Sequence, residues 1–255
     1  MSEHDKFTDS AGVPWEGRSF HENPFSSDTG EADPELLRAL LDFKSTSSNQ
    51  SEVVTAFANA RVLIPLIATL GESGEGAHGH QVDKSAELSI VSVRTPDDQN
   101  GLPIFTSVES MSRWNPKARP VPNNGRTVAL AAVSEGNTRV VLDPGSETEF
   151  VIRRPALEAI AQGFSWSVPN LNTEVIEIVD SALANIPEVR NFTLLNADPS
   201  AKLLGHELEV VIYLAADLDK SRLGEIQNEF LQEISTSKRF VELVDSVGLK
   251  FLPAS

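Results

Sequence analysis

The run Val53-Val54-Thr55-Ala56-Phe57-Ala58-Asn59-Ala60-Arg61-Val62-Leu63-Ile64-Pro65-Leu66-Ile67 contains the change of period on which the fold turns. Up to Ala58 the apolar residues Val53, Val54, Phe57 and Ala58 fall at i, i+1, i+4 and i+5, which places them on one stripe of a helix. From Arg61 the residues are β-branched and aliphatic in succession, the habit of a strand. Pro65 has no N–H to give to a ladder, so it predicts an edge or strand-end position.

Upstream, Asp33 can cap and Pro34 can take the first position of a helix running to about Phe43, with Leu36, Leu37, Leu40 and Leu41 inward. Downstream, strands are expected over 87–93 and 102–105. Thr106-Ser107-Val108-Glu109 fits a capping box that starts a short helix through Trp114. Residues 119–122 read as a link, and a helix follows from Gly125 to about Glu135. Strands over 139–142 and 150–153 flank the Asp143-Pro144-Gly145 turn, and Pro155 opens a helix through Ala161.

After Gly163 a separate pattern begins. Asn172 or Thr173 caps a helix carrying Val175, Ile176, Val179, Leu183 and Ile186. Strands near 190–195 and 207–215 follow, then helices over 220–234, capped by Asp219, and 238–247, and a last strand over 249–252. Helices and strands interspersed in this way predict an α+β fold rather than a doubly wound one. The expected organisation is an irregular acidic tail (1–32) and two small domains of mixed sheet and helix (33–163 and 164–255).

Across 255 residues there are 37 Asp and Glu against 21 Lys and Arg. Residues 1–33 hold 8 acids and 2 bases, 34–163 hold 15 and 12, and 164–255 hold 14 and 7. Phosphate backbones and anionic membranes select clustered basic faces, so neither direct nucleic-acid binding nor membrane binding is expected. The local exception, Arg113, Lys117, Arg119 and Arg126, reads as a solvated rim. No Cys is present, which excludes disulfides, thiolate catalysis and cysteine-ligated metals. No apolar run reaches the ~18 residues of a membrane span, and Met1 to Ser10 lacks the basic-then-apolar order of a signal peptide; a cytoplasmic protein is expected.

Gly74-Glu75-Gly76-Ala77-His78-Gly79 matches G-x-G-x-x-G. That fingerprint needs a helix starting at the glycines to receive the pyrophosphate, whereas only 81–85 separate this run from the next strand; a hairpin loop is the favoured reading. His78 and His80 beside Glu72, Glu75 and Asp83 could gather round a metal, but so glycine-rich a loop does not preorganise them. The pairs Asp97 with Asp98 and Asp217 with Asp219 suit caps and Asx-turns. No residue is therefore assigned to catalysis, a cofactor or a metal.

What stands out is aromatic. Trp15, Phe20 and Phe25 recur at fivefold spacing in the tail, either docking it on its own domain or forming a linear motif for a partner. Together with the 105–122 segment they make the candidate interaction face: Trp15, Phe20, Phe25, Phe105, Trp114 and Arg119, the last two being residue types favoured at hot spots. The alternative for Trp114 is burial as helix core.

Leu102-Pro103-Ile104-Phe105-Thr106-Ser107, Trp114-Asn115-Pro116-Lys117-Ala118-Arg119-Pro120-Val121-Pro122, Val141-Leu142-Asp143-Pro144 and Arg154-Pro155-Ala156-Leu157-Glu158 occur in that order. They resemble the N-terminal domain of the bacterial SseB family, and residues 170–255 resemble that family's C-terminal domain. The resemblance implies an α+β fold, a cytoplasmic location and no catalytic residues to transfer. The expectation is a non-catalytic interaction or regulatory module with a protein partner. The family label "enhanced serine sensitivity" motivates an alternative, an amino-acid or small-metabolite sensor or enzyme, in which Arg113, Arg119 or Arg126 converge on a carboxylate.

Overall fold

The computed structural model describes residues 25–46, 49–70, 86–215 and 218–254. Trp15, Phe20, the Gly74 to Gly79 run, His78, His80 and Asp217 lie outside them. Helices α1 (Pro34–Thr46) and α2 (Gln50–Asn59) lead into strands β1 (Arg61–Leu70), β2 (Ala86–Ile90), β3 (Val93–Arg94) and β4 (Asn100–Ile104). Then come α3 (Val108–Trp114), β5 (Arg119–Asn124), α4 (Gly125–Ser134), β6 (Arg139–Leu142), β7 (Phe150–Arg153) and α5 (Arg154–Gln162). A 3-10 turn (Pro169–Leu171) precedes α6 (Thr173–Leu183), β8 (Val189–Asn196), β9 (Leu208–Leu214), α7 (Lys220–Thr236), α8 (Lys238–Leu243) and β10 (Val247–Pro253). The described strands form three small sheets, β2-β1-β5, β3-β4-β6-β7 and β10-β9-β8, so the fold is α+β.

Local chemistry sets the helix starts. The Asp33 carboxylate accepts from the Glu35 and Leu36 N–H groups, Asn172 from Glu174 and Val175, and Asp219 from Arg222. The capping box sits one residue later than Thr106 suggested: Ser107 is the cap and exchanges bonds with Ser110. Thr106 is diverted because its hydroxyl donates to Asp143 instead, at 2.7 Å.

The 119–122 link is in fact strand β5, and Pro65 lies in the central strand of its sheet rather than at an edge. The prolines explain each other. Leu63 spends both backbone groups on Phe105 (2.8 and 2.9 Å), so towards β5 it faces Pro122 as a non-hydrogen-bonded pair, and Pro65 faces Pro120 in the same way. On its other side Pro65 falls between the Phe105 bridge and the first β2 pair, Leu66 with Ile90, where no N–H is needed. Helix α8 stops at Leu243, short of the expected 247, because Val244 turns to extended backbone and carries Asp245 and Ser246 away from the helix.

One core gathers α1, α2, α4 and α5 on β1, β4, β6 and β7; another gathers α6, α7 and α8 on β8, β9 and β10. Packing crosses residue 163: Trp166 and Ala201 pack into the first of these cores. Ala201 also accepts from the Val151 N–H at the edge of β7, at 2.7 Å. Every residue of β6 and β7 is buried, so both faces of that hairpin are covered. Val140, Leu142, Phe150 and Ile152 face the helices, while Val141 and Val151 meet Leu203 from the loop between β8 and β9.

Candidate functional site

Side-chain alternation places Arg139 and Arg153 on the same face as Val141 and Val151, and the antiparallel register sets the two arginines directly opposite each other. Like charges so placed repel, and this face therefore demands anions. Asp245 supplies the first, with Oδ1 at 3.0 Å from Arg139 Nη1 and Oδ2 at 2.8 Å from Arg139 Nη2 and 3.1 Å from Arg153 Nη1. Asp97 takes Arg139 through Nε (3.0 Å) and Nη2 (2.7 Å), and Asp198 takes Arg153 Nη2 at 2.7 Å. Burial pushes the Asp97 carboxyl up, but the Thr95 hydroxyl and the Arg139 guanidinium outweigh it and hold Asp97 below the ordinary value.

Glu207 closes the cluster. Its Oε2 accepts from the Asp245 N–H at 2.6 Å, and its own N–H donates to Ser246 Oγ at 3.0 Å. Burial pushes its carboxyl up to about 7. The Asp245 N–H pulls the other way, the Asp245 carboxylate adds to the rise, and Arg153 and Arg139 partly offset it. Its Oε1 and the Trp166 indole nitrogen are buried without a hydrogen-bond partner among the described residues. Both residues line a cavity of about 10 Å³, with Gln50, Arg153, Asn196 and Asp198 also in its wall.

Asp143 organises a second buried polar site. Its Oδ1 accepts from the Thr106 N–H and Ser110 Oγ, and its Oδ2 from Thr106 Oγ1 and Thr148 Oγ1, over 2.7 to 2.9 Å. The residue adopts φ +44°, which Asp tolerates better than most side chains. With hydroxyl and amide donors alone around it, this carboxylate ties α3 to the turn after β6.

The aromatic segment is placed differently from its sequence reading. Phe105 is wholly buried with Leu63 and Met111, so it cannot present itself to a partner. Trp114 is half-buried and tilts against Phe105, ring centroids 5.2 Å apart, covering that small core from outside. Arg119 is exposed on β5, and Phe25 is half-buried ahead of α1. The three arginines of the metabolite reading do not converge. Arg113 is engaged by Glu109 on its own helix, and the Arg126 guanidinium lies over Gly163. Arg119 sits at the opposite end of β5 from Arg126, roughly 16 Å away along the strand.

The exposed apolar surface lies elsewhere. Leu130 (56% exposed) and Val133 (38%) are spaced i, i+3 on α4, and Phe164 (68%) follows Gly163, over which Arg126 reaches from the start of the same helix. Among the described residues, a cleft of about 610 Å³ also opens between Arg154 and the α7–α8 region, walled by Leu231, Ile234, Phe240, Val241 and Val244. Arg154 is occupied there, donating to the Val241 and Val244 carbonyls and paired with Glu158.

Residues 35–159 match the family model described as SseB protein N-terminal domain. The matched stretch ends on α5 and includes Asp97, Arg139, Asp143 and Arg153. No curated protein and no solved structure matches the chain.

Proposed function

We propose that this is a non-catalytic, cytoplasmic protein of the SseB family that acts by binding another protein, with residues 33–163 and 164–255 as its N- and C-terminal domains. The observation that carries this reading is the exposure of Leu130 and Val133, three residues apart on α4, and of Phe164 after the Gly163 that Arg126 of the same helix covers. Three large side chains held in water on one helix and the turn beside it are what a partner's apolar surface can cover. Trp15, Phe20 and Phe25 belong to the same reading as a linear motif, and Arg119 as an exposed rim contact.

The test is co-purification at native abundance of three tagged chains: full length, a chain starting at Asp33, and full length with Leu130→Glu and Phe164→Glu. A partner held by the first and lost from the third places the site on α4, and one lost only from the second places it in the tail. Bare protein in all three lanes overturns the reading.

The 610 Å³ cleft supports a second reading, a small-metabolite sensor, because its size and apolar walls suit a drug-sized ligand. With Arg154 already engaged, the fitting ligand is apolar and uncharged rather than a free amino acid. Saturation a hundredfold above Kd would add about 2.7 kcal/mol of stability; a metabolite screen without a thermal shift removes this reading.

A further inference from the structure

The cavity between Trp166 and Glu207 lies where the two halves of the chain meet. Its wall takes Gln50 and Val54 from α2, Phe150 to Arg153 from β7 and Ala156 from α5, then Trp166, Asn196, Asp198, Ala201 and Glu207 from beyond residue 163. At about 10 Å³ it has the room of one water molecule and no more. The two orphaned polar atoms belong to residues in this one wall. A buried indole N–H can only donate, and leaving a buried polar atom unmet costs about 1–3 kcal/mol.

We propose that this cavity binds a single ordered water, held by the Trp166 Nε1–H and by Glu207 Oε1 with Glu207 in its neutral form, so that the junction between the two halves closes only with a proton and a water in place. A water can accept from the indole and from a protonated Oε1, leaving its two hydrogens for the Asn196, Gln50 or Asp198 oxygens in the wall.

Burial favours the neutral form. The charges that act on Glu207 are Asp245, from the segment before β10, which opposes ionisation, and Arg139 and Arg153, from β6 and β7, which offset burial only in part. Asp97 from the hairpin before β4 and Asp198 from the β8–β9 loop are taken up by those arginines. Ionised, Glu207 would hold a buried Oε1 that meets no partner among the described residues. His206, exposed and adjacent in sequence, packs over Gly248.

The experiment has two arms on the full chain. A high-resolution crystal structure grown at pH 5.5 is expected to show one water within hydrogen-bond distance of both Trp166 Nε1 and Glu207 Oε1; a dry cavity, or a Glu207 rotamer turned to another partner, overturns the proposal. Carboxyl-carbon NMR of Glu207 needs no variant and is expected to titrate near 7; titration in the ordinary carboxylate range overturns it equally. As support, urea midpoints at pH 5.5 and 8 are compared for the chain and for Glu207→Gln, both carrying His206→Asn. The Gln variant is expected to lose the pH dependence, and equal dependence in the two sinks the proton's role.

Discussion

Two buried carboxylates are handled in opposite ways, and each yields a prediction. Asp143 is surrounded by donors, so truncation strands the Thr106 N–H and hydroxyl and leaves Ser110 and Thr148 only the Ser107 carbonyl and the Ser146 hydroxyl. Asp143→Ala is expected to cost about 3 kcal/mol in urea denaturation, while Asp143→Asn, which keeps an acceptor and tolerates the positive φ, costs less. Glu207 binds its proton more tightly folded than unfolded, with the value raised from 4.5 to about 7. Between those values the native state carries more protons, so the stability that Glu207 contributes is complete below 4.5 and falls as pH rises through about 7. At about 1.4 kcal/mol per unit this amounts to roughly 3 kcal/mol. Subtracting the Glu207→Gln curve from that of the unmodified chain isolates it from the titrating Asp97, whose lowered value acts in more acidic solution.

At the scale of elements, glycine decides how closely two helices meet. A Cβ on Gly125 would stand 1.8 Å from the Phe57 carbonyl oxygen, where the start of α4 abuts the end of α2. Backbone cannot yield as a side chain does, so Gly125→Ala is expected to lower stability by several kcal/mol or prevent folding. Gly224, inside α7, has nothing within 4 Å of that position. Gly224→Ala is therefore expected to raise stability by about 1 kcal/mol, and thermal melts of the two variants should move in opposite directions. The same contrast shows what could be read from sequence. The caps at Asp33, Asn172 and Asp219 were legible because a cap and its amides lie within three residues. Strand β5 was not, because Pro120 and Pro122 disguise it, and their tolerance depends on a bridge from Leu63 to Phe105 across 42 positions. Phe105 and Trp114 were read together, but which of the two faces water depends on Leu63 and Met111 packing beneath them. The facing of Arg139 and Arg153 was within reach, since a hairpin about the Asp143-Pro144-Gly145 turn aligns them; Asp245, 106 residues from Arg139, was not.

Across the whole molecule, Asp245 bridges the two halves through both arginines. It reaches from the segment before β10 to two arginines on β6 and β7, and its own N–H holds Glu207. Its side chain is only 6% exposed, against 7% and 8% for its partners, so water can neither screen nor replace the interaction. Removing one member of a buried ion group leaves uncompensated charge. Here Asp245→Ala leaves Arg139 to Asp97 and Arg153 to Asp198, with the repulsion between the arginines no longer bridged. The expected cost is about 3–4 kcal/mol, nearly the same in 0.05 and 0.5 M salt. The Arg239 and Glu174 pair also spans distant elements, α8 and α6, but its side chains are 53% and 45% exposed. Glu174→Gln is expected to cost less than about 1 kcal/mol and to lose even that at high salt. Urea titrations of both variants at the two salt concentrations distinguish a junction held by buried charge from one held by apolar packing: equal small costs would mean that Val141, Val151 and Leu203 hold the halves together without the arginines.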